Sequence, residues 1–201
     1  SDDDARAIAA TATKAAELAR RVSRGRARLS VAVSSFVPKP HTPFQWAGQL
    51  GAEATDARLR LLREAIRADR RYGSSIGFRY HDGQPGIVEG LLSRGDRRVG
   101  AVIERVWRDG GRFDGWSEHF SYERWMRCAT EVFADSSVSV DWFTTRERSQ
   151  SEVLPWDHID SGLDREWLWE DWQAALAEEQ VDDCRWSPCF DCGVCPQLGT
   201  A

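Results

Sequence analysis

The sequence predicts an α/β unit followed by a mostly α-helical C-terminal extension. A helix-period run over residues 3–22 leads into a nearly continuous stretch of small apolar residues, the order found in an αβ unit of a parallel sheet. Further helix-period runs recur to about residue 176, with only short alternating stretches between them. The material also changes along the chain, because all ten tryptophans except Trp46 lie at or beyond Trp107.

Each element has a local reason. Ala5, Ile8, Ala9, Ala12, Ala15, Ala16, Ala19 and Val22 repeat at helical spacing, and Gly25 follows as a stop. The stretch 29–37 reads as a strand buried on both faces. One helix and one strand do not make a sheet, so a neighbour is expected on chain N-terminal to this one. Pro38, Pro40 and Pro43 make 38–46 a stiff, extended loop with few backbone donors. A helix over 55–72 is capped by Thr55, lined by Leu59, Leu62 and Ile66, and ended by Gly73. Ile76, Phe78 and Tyr80 alternate as a short strand.

Residues 81–95 are glycine-rich and read as a connection. Asp96 then caps a helix carrying Val99, Val102, Ile103, Val106 and Trp107, closed by Gly110-Gly111. Another helix runs from about Ser121 to Phe133 with Trp125, Cys128, Ala129 and Val132 on one face. Val138, Val140 and Trp142 suggest a short extended piece. A last helix starts near Asp164 and buries Leu168, Trp172, Ala175 and Leu176.

Composition narrows the function. The 201 residues are 41% hydrophobic and 29% charged, which supports a packed core in one large or two small domains. No apolar run approaches the ~20 residues of a membrane helix. The acidic start Ser1-Asp2-Asp3-Asp4 is not a secretory signal, so the chain reads as cytoplasmic, and its start at a residue other than Met reads as a fragment or a processed chain. A net charge of −5 argues against a protein that coats nucleic acid. Only Lys14 and Lys39 among the 27 basic residues are lysines. A coding bias explains this more simply than recognition of phosphate or carboxylate by arginine forks.

The strongest motif is Cys184-x4-Cys189-x2-Cys192-x2-Cys195, followed by Pro196. Four thiolates suit a tetrahedral zinc or a cubane iron–sulfur cluster. The compact spacing that ends in Cys-Pro is closer to a cluster loop than to two separated zinc knuckles. Cys128, on an apolar helical stripe, reads as a buried inert thiol.

Ser34 and Ser35 end the buried strand, and the proline loop after them carries Lys39, His41 and Gln45. In α/β barrels the C-terminal strand ends and their loops hold the site. A sheet cap with a solvated His41 accounts for the same residues. Glu89 through Arg98 read as a capped helix start with surface ion pairs; anion recognition at that helix end is the alternative. In Leu154-Pro155-Trp156-Asp157-His158-Ile159-Asp160, a histidine between carboxylates suits a general base, but capping and packing explain it better.

Taken together, the loop 33–46, the stretch 89–98, Gly111-Arg112-Phe113-Asp114-Gly115-Trp116, the stretch 154–160 and the terminal cysteines carry a resemblance. From about residue 28 onward the chain resembles the C-terminal part of a family of radical S-adenosylmethionine (radical SAM) proteins with an N-terminal cobalamin-binding-like domain. The resemblance implies an α/β remnant of a radical SAM partial barrel over 1–50, a helix-rich domain over 51–180 and a cysteine-rich metal-binding tail over 181–201. It implies that Ser34, Ser35, Lys39, His41 and Gln45 lie on the cofactor side of the barrel. The parent would use S-adenosylmethionine and a [4Fe–4S] cluster, with cobalamin a further cofactor. The tail cysteines would hold an auxiliary [4Fe–4S] cluster or zinc. The Cys-x3-Cys-x2-Cys motif of such enzymes does not occur in these 201 residues. The expected partner is therefore the N-terminal region of the same protein. The substrate stays open, RNA among the options. The alternative is a non-catalytic, metal-stabilised module in which Arg94, Arg97, Arg98 and the tryptophans grip RNA or a protein.

Overall fold

Helix α1 (Asp2–Val22) begins with a reciprocal cap, in which the Ser1 hydroxyl accepts from the Asp4 backbone N–H at 3.2 Å and Asp4 reaches back to the amino terminus. Its buried face is Ala5, Ala9, Ala12 and Ala16. These small side chains pack with Leu62 and Ile66 of α2 (Ala52–Ala68) and with Tyr72 and Ile76. Thr55 does not cap α2, because the helix starts a turn earlier at Gly51 and Thr55 is buried inside it. The helix also ends earlier than expected, at Asp69, and Gly73 opens a short 3-10 turn instead.

Strand β1 (Leu29–Val33) pairs in parallel with β2 (Ile76–Tyr80), with Val31 opposite Phe78. This corrects the expectation that β1 needs a neighbour from outside the chain, since β1, α2 and β2 form a βαβ unit. It also corrects the expectation of burial on both faces. Leu29, Val31 and Val33 are half-buried toward the helices, while Ser30 and Ala32 are exposed, because the helices cover one face only.

The computed structural model describes residues 1–24, 27–80, 82–195 and 199; Gly25 and Pro196 lie outside them. The chain forms two units: Ser1–Phe36 with Leu50–Ile87, and Val37–Gln49 with Val88–Ala201. They interleave in sequence, whereas the motif reading divides the chain serially at 50 and 180. Among the described residues no helix is long and apolar enough to cross a membrane.

The glycine-rich stretch after β2 is helical, not a connection. Helix α3 (Gly83–Arg94) carries Pro85 in its first turn, where a missing N–H costs nothing, and turns Ile87, Val88 and Leu91 inward. Helix α4 (Arg98–Arg108) buries Val99, Val102 and Val106 but leaves Ile103 and Trp107 exposed, so its apolar stripe is narrower than its sequence period suggests. Helix α5 (Tyr122–Phe133) is capped by Ser121 and packs Trp125, Cys128 and Ala129 against α4. Residues expected to be extended form α6 (Val140–Thr144), because the Ser139 hydroxyl accepts from the Trp142 N–H and starts a turn. Helix α7 (Arg165–Leu176) is capped by Asp164 and buries Leu168, leaving Leu176 exposed.

The second unit has two apolar clusters. One joins Leu91, α4, α5 and Phe143. The other is built from Trp46, Leu154, Trp156 and Leu168, with Trp167, Trp169 and Trp172 packed on it. This is where the tryptophan-rich C-terminal half is used.

The alanine stripe of α1 sets a close approach that a larger side chain would force apart. Ala16→Leu should destabilise the chain by about 1–3 kcal/mol in urea unfolding, while Ala10→Leu on the exposed face should change little. Equal effects at the two positions would contradict this packing.

Candidate functional site

The proline loop is folded rather than simply extended. It runs to Thr42, whose hydroxyl donates to the Lys39 carbonyl at 2.8 Å, and then turns into a 3-10 helix (Pro43–Trp46) with Pro43 at its first position. His41 holds a left-handed backbone, φ 54°, which is uncommon outside glycine. The Gln45 side-chain carbonyl accepts from the His41 N–H at 3.2 Å and from the Trp156 indole N–H at 2.7 Å. Gln45 is buried, so this one oxygen ties the proline loop to the 154–160 stretch.

The same segment is clamped beyond the turn. Trp46 is fully buried and meets Trp169 edge-on with centroids 5.0 Å apart. The Arg148 N–H donates to the Trp46 carbonyl at 2.9 Å, and the Gln49 N–H to the Thr144 carbonyl at 3.1 Å. Between these bonds the backbones come so close that a Cβ at Gly48 would stand 2.1 Å from the Thr145 carbonyl oxygen, so only glycine fits.

The five expected cofactor-side residues part company. Ser34 and Ser35 close the first unit; Ser34 is exposed, and the Ser35 hydroxyl is buried beside Gly86 without a hydrogen-bond partner. Lys39, His41 and Gln45 open the second unit. Lys39 pairs with Glu89 at the surface, and the Gln45 carbonyl is committed to the two donors above. His41 and Gln45 both face a cavity. With Asp157, His158, Asp160 and Arg165 they line a space of about 410 Å³.

Around His158 the carboxylates cap and pair, as the sequence suggested. Asp157 accepts from the Leu154 N–H at 2.8 Å and from Arg165 at 2.7 Å, and Asp160 accepts from the Gly162 N–H at 2.8 Å.

Two arginines of the second unit are buried; sequence reasoning took Arg94 for a surface residue and missed Arg148 altogether. Arg94 is 0% exposed and Arg148 is 4% exposed. Arg94 donates from Nη1 to the Thr144 carbonyl at 3.2 Å. Arg148 donates from Nη2 to the carbonyls of Arg94 at 2.9 Å and Phe143 at 3.1 Å, and its guanidinium lies over the Trp156 ring at 5.0 Å. These carbonyls belong to the last residues of α3 and α6, where helices leave acceptors unpaired. Among the described residues neither arginine is in an ion pair. Nε and Nη2 of Arg94, and Nε and Nη1 of Arg148, are buried without a partner. Each such donor costs about 1–3 kcal/mol when left unsatisfied. Burial is the main cause that pulls both guanidiniums down to about 10, with the Arg148 cation adding to the effect at Arg94; both stay charged at neutral pH.

A signal for Arg94 exists in the sequence. It stands at the third position of the apolar face Ile87, Leu91, Arg94, spaced four and three. Arg148 has no comparable local signal.

Arg148 lines a second cavity, of about 630 Å³, with Asp96, Arg97, Trp142, Glu152 and Asp157 among its walls. Asp96 holds Arg98 at 2.6 Å, and Glu152 holds Arg146 through two bonds of 2.5 and 2.8 Å. Those arginine hydrogen bonds are the main reason that both carboxyls titrate below their ordinary range.

The tail cysteines lie on one surface. Cys184, Cys189, Cys192 and Cys195 all line a space of about 460 Å³ with Trp167, Phe190 and Val181. The Asp191 N–H donates to the Cys189 sulfur at 3.4 Å. The Cys192 carbonyl accepts from the Asp164 N–H at 2.8 Å, which fastens the loop to the start of α7. Gly193, at φ 91°, makes the turn; a Cβ there would meet the Gly162 carbonyl at 2.7 Å. In chemistry the donors suit a thiophilic metal. Among the described residues, however, no three His, Cys, Asp or Glu side chains are gathered closely enough to hold an ion. Cys128 is fully buried, and desolvation pushes its thiol up, as an inert core cysteine requires.

Comparison with protein-family models, curated proteins and solved structures gives no match.

The Gln45 carbonyl is testable as the clamp. Gln45→Met keeps the volume but leaves the Trp156 N–H without its acceptor. It should cost about 1–3 kcal/mol in urea unfolding. A loss within about 0.3 kcal/mol would mean that the bond is dispensable.

Proposed function

We propose that this chain is the C-terminal, substrate-side part of a radical S-adenosylmethionine enzyme, working with a cluster-bearing barrel outside these 201 residues. The observation that supports it is convergence. The proline loop, the 94–97 turn and the 154–160 stretch are far apart in sequence, yet within the second unit they line two cavities joined by shared residues Asp157 and His158.

The parent's cluster, when bound with S-adenosylmethionine, supplies reductive cleavage to a 5′-deoxyadenosyl radical. The residues here have other work. The Gln45 carbonyl fixes the loop, and His41 reaches the cavity from a left-handed backbone, φ 54°. Cys184, Cys189, Cys192 and Cys195 are the residues that would hold a tail metal. A centre with four cysteine ligands has no open position and would serve structure or electron transfer. The RNA- or protein-gripping alternative is weakened, because Arg94 is buried, Arg98 is held by Asp96 and most tryptophans are packed inside the second unit.

The test is anaerobic reconstitution of the whole encoded polypeptide with iron and sulfide. It should form 5′-deoxyadenosine, and a Cys-x3-Cys-x2-Cys should stand upstream of Ser1. His41→Gly relieves the left-handed backbone, so it should leave the melting temperature unchanged or higher while lowering turnover about tenfold or more. The tail thiols should resist alkylation when loaded and react freely after chelation. A polypeptide without the upstream motif, or one indifferent to His41→Gly, would overturn the reading.

A further inference from the structure

The net charge of −5 conceals a division between the two units. The first carries fourteen basic residues against nine acidic ones, so the excess of acid lies wholly in the second. Within the first unit the charge is also polarised. Arg20 donates to the Arg71 carbonyl at 3.4 Å, and both guanidiniums lie over the Tyr72 ring, at 5.7 and 5.2 Å from its centroid. The end of α1 therefore meets the turn that follows α2. Asp2 and Arg58, 3.8 Å apart, join the two helices toward their starts. The helices run side by side in one direction, with Asp2, Asp3 and Asp4 at one end and arginines gathered at the other.

Arg20, Arg21 and Arg67 stand in the last turns of α1 and α2, where cations complement the helix dipole. That explanation does not reach Arg24, Arg28, Arg70 and Arg71, which lie beyond the helices. Arg28 belongs to the same end, because the next residue, Leu29, stands opposite Ile76 in the sheet. All four are exposed, and among the described residues none is in an ion pair. Three carboxylates of the unit stand nearby, Glu17, Glu64 and Asp69. Glu17 is held by Arg21, and Asp69 accepts from the Arg71 and Tyr72 N–H groups at 2.9 and 2.7 Å, so a surplus of positive charge remains. Coding bias accounts for arginine in place of lysine but not for where the cations gather. Their mutual repulsion is relieved by a chain of phosphates, which guanidiniums meet through paired N–H groups. A membrane surface fits less well. Among the described residues the exposed large apolar side chains at this end are Leu18 and Val22, both on α1, and the α2 side offers no such anchor.

We propose that the arginine end of the first unit binds the phosphodiester backbone of a nucleic acid, with Arg24, Arg28, Arg70 and Arg71 as the phosphate contacts. These are not the arginines of the second unit, of which Arg94 is buried and Arg98 is held by Asp96. The site goes beyond the function proposed above and needs neither iron nor S-adenosylmethionine, so it is tested on this chain alone.

The experiment is fluorescence anisotropy of the 201-residue chain with a labelled uridine oligoribonucleotide of about twelve residues and, separately, with its thymidine DNA counterpart. At about 50 mM salt at least one should saturate with a dissociation constant of about 100 µM or tighter. The logarithm of the association constant should fall with the logarithm of salt at a slope of about −3, as four phosphate contacts to a single strand require. Equal affinity assigns the backbone that both share, and tighter binding of one assigns that nucleic acid. Arg28→Glu with Arg70→Glu should weaken binding about tenfold or more. Arg108→Glu with Arg185→Glu makes the same change of charge at exposed positions of the second unit and should weaken it less than about threefold. Should the first pair fail to fold, Arg24→Gln with Arg71→Gln decides in its place, with the same loss expected. The proposal is overturned if neither oligonucleotide saturates below about 1 mM, or if substitutions in the two units weaken binding alike. It is also overturned if vesicles of about one-third phosphatidylserine bind more tightly than either oligonucleotide, which would assign a membrane surface. Failure of the reconstituted polypeptide to cleave S-adenosylmethionine would leave these titrations unchanged, so the two ideas fail separately.

Discussion

Two guanidiniums withdrawn from water constrain the second unit more than any other feature. Among the described residues neither Arg94 nor Arg148 is in a direct ion pair, and Glu152 offsets their burial only in part, from a longer range. They are held instead by carbonyls that α3 and α6 leave unpaired at their ends, Arg94 by Thr144 and Arg148 by Arg94 and Phe143. The bonds are reciprocal, so neither helix end can move without exposing the other's cation. The constraint travels outward. Arg148 lies on Trp156, Trp156 donates to Gln45, and Gln45 fixes the turn after the three prolines. The Arg148 backbone N–H returns to Trp46, which closes the circuit.

This circuit separates three kinds of chemistry within one unit. A cavity with two histidines and capped carboxylates lies beside the proline turn. A second cavity is lined by Arg97 and Arg148 beside Asp96, Glu152 and Asp157. A thiol-lined hollow lies against α7. The first two share Asp157 and His158. Among the described residues the thiols do not enclose an ion, and the bond from the Asp164 N–H to the Cys192 carbonyl fastens their loop to the start of α7.

Much of the helical framework was legible in the sequence, because capping and periodicity are local. Ser1, Ser121 and Asp164 sit where the helices begin, and Ala5 through Ala16 mark the buried face of α1. The misreadings share a physical cause. Glycine density in 83–90 suggested a loop, but Pro85 in the first turn and burial of Ile87 and Leu91 outweigh glycine's low helix propensity. Alternation around Val140 suggested extension, but the Ser139 cap decided for a helix. The proline loop, the 154–160 stretch and the four cysteines were all visible as motifs. Their meeting was not, because the bond that joins Gln45 to Trp156 spans 111 residues. Buried arginines were hidden for another reason: composition counts a charge as surface, and only the spacing Ile87, Leu91, Arg94 hints otherwise.

The most direct measurement is the exchange rate of arginine Nε–H protons with solvent, read by nuclear magnetic resonance on nitrogen-labelled protein. The Nε–H signals lost individually in Arg94→Lys and Arg148→Lys should both exchange far more slowly than those of the exposed arginines. If every arginine Nε–H exchanged at surface rates, the guanidiniums would be open to water, and the lock that joins helix ends, Trp156 and the proline turn would not exist.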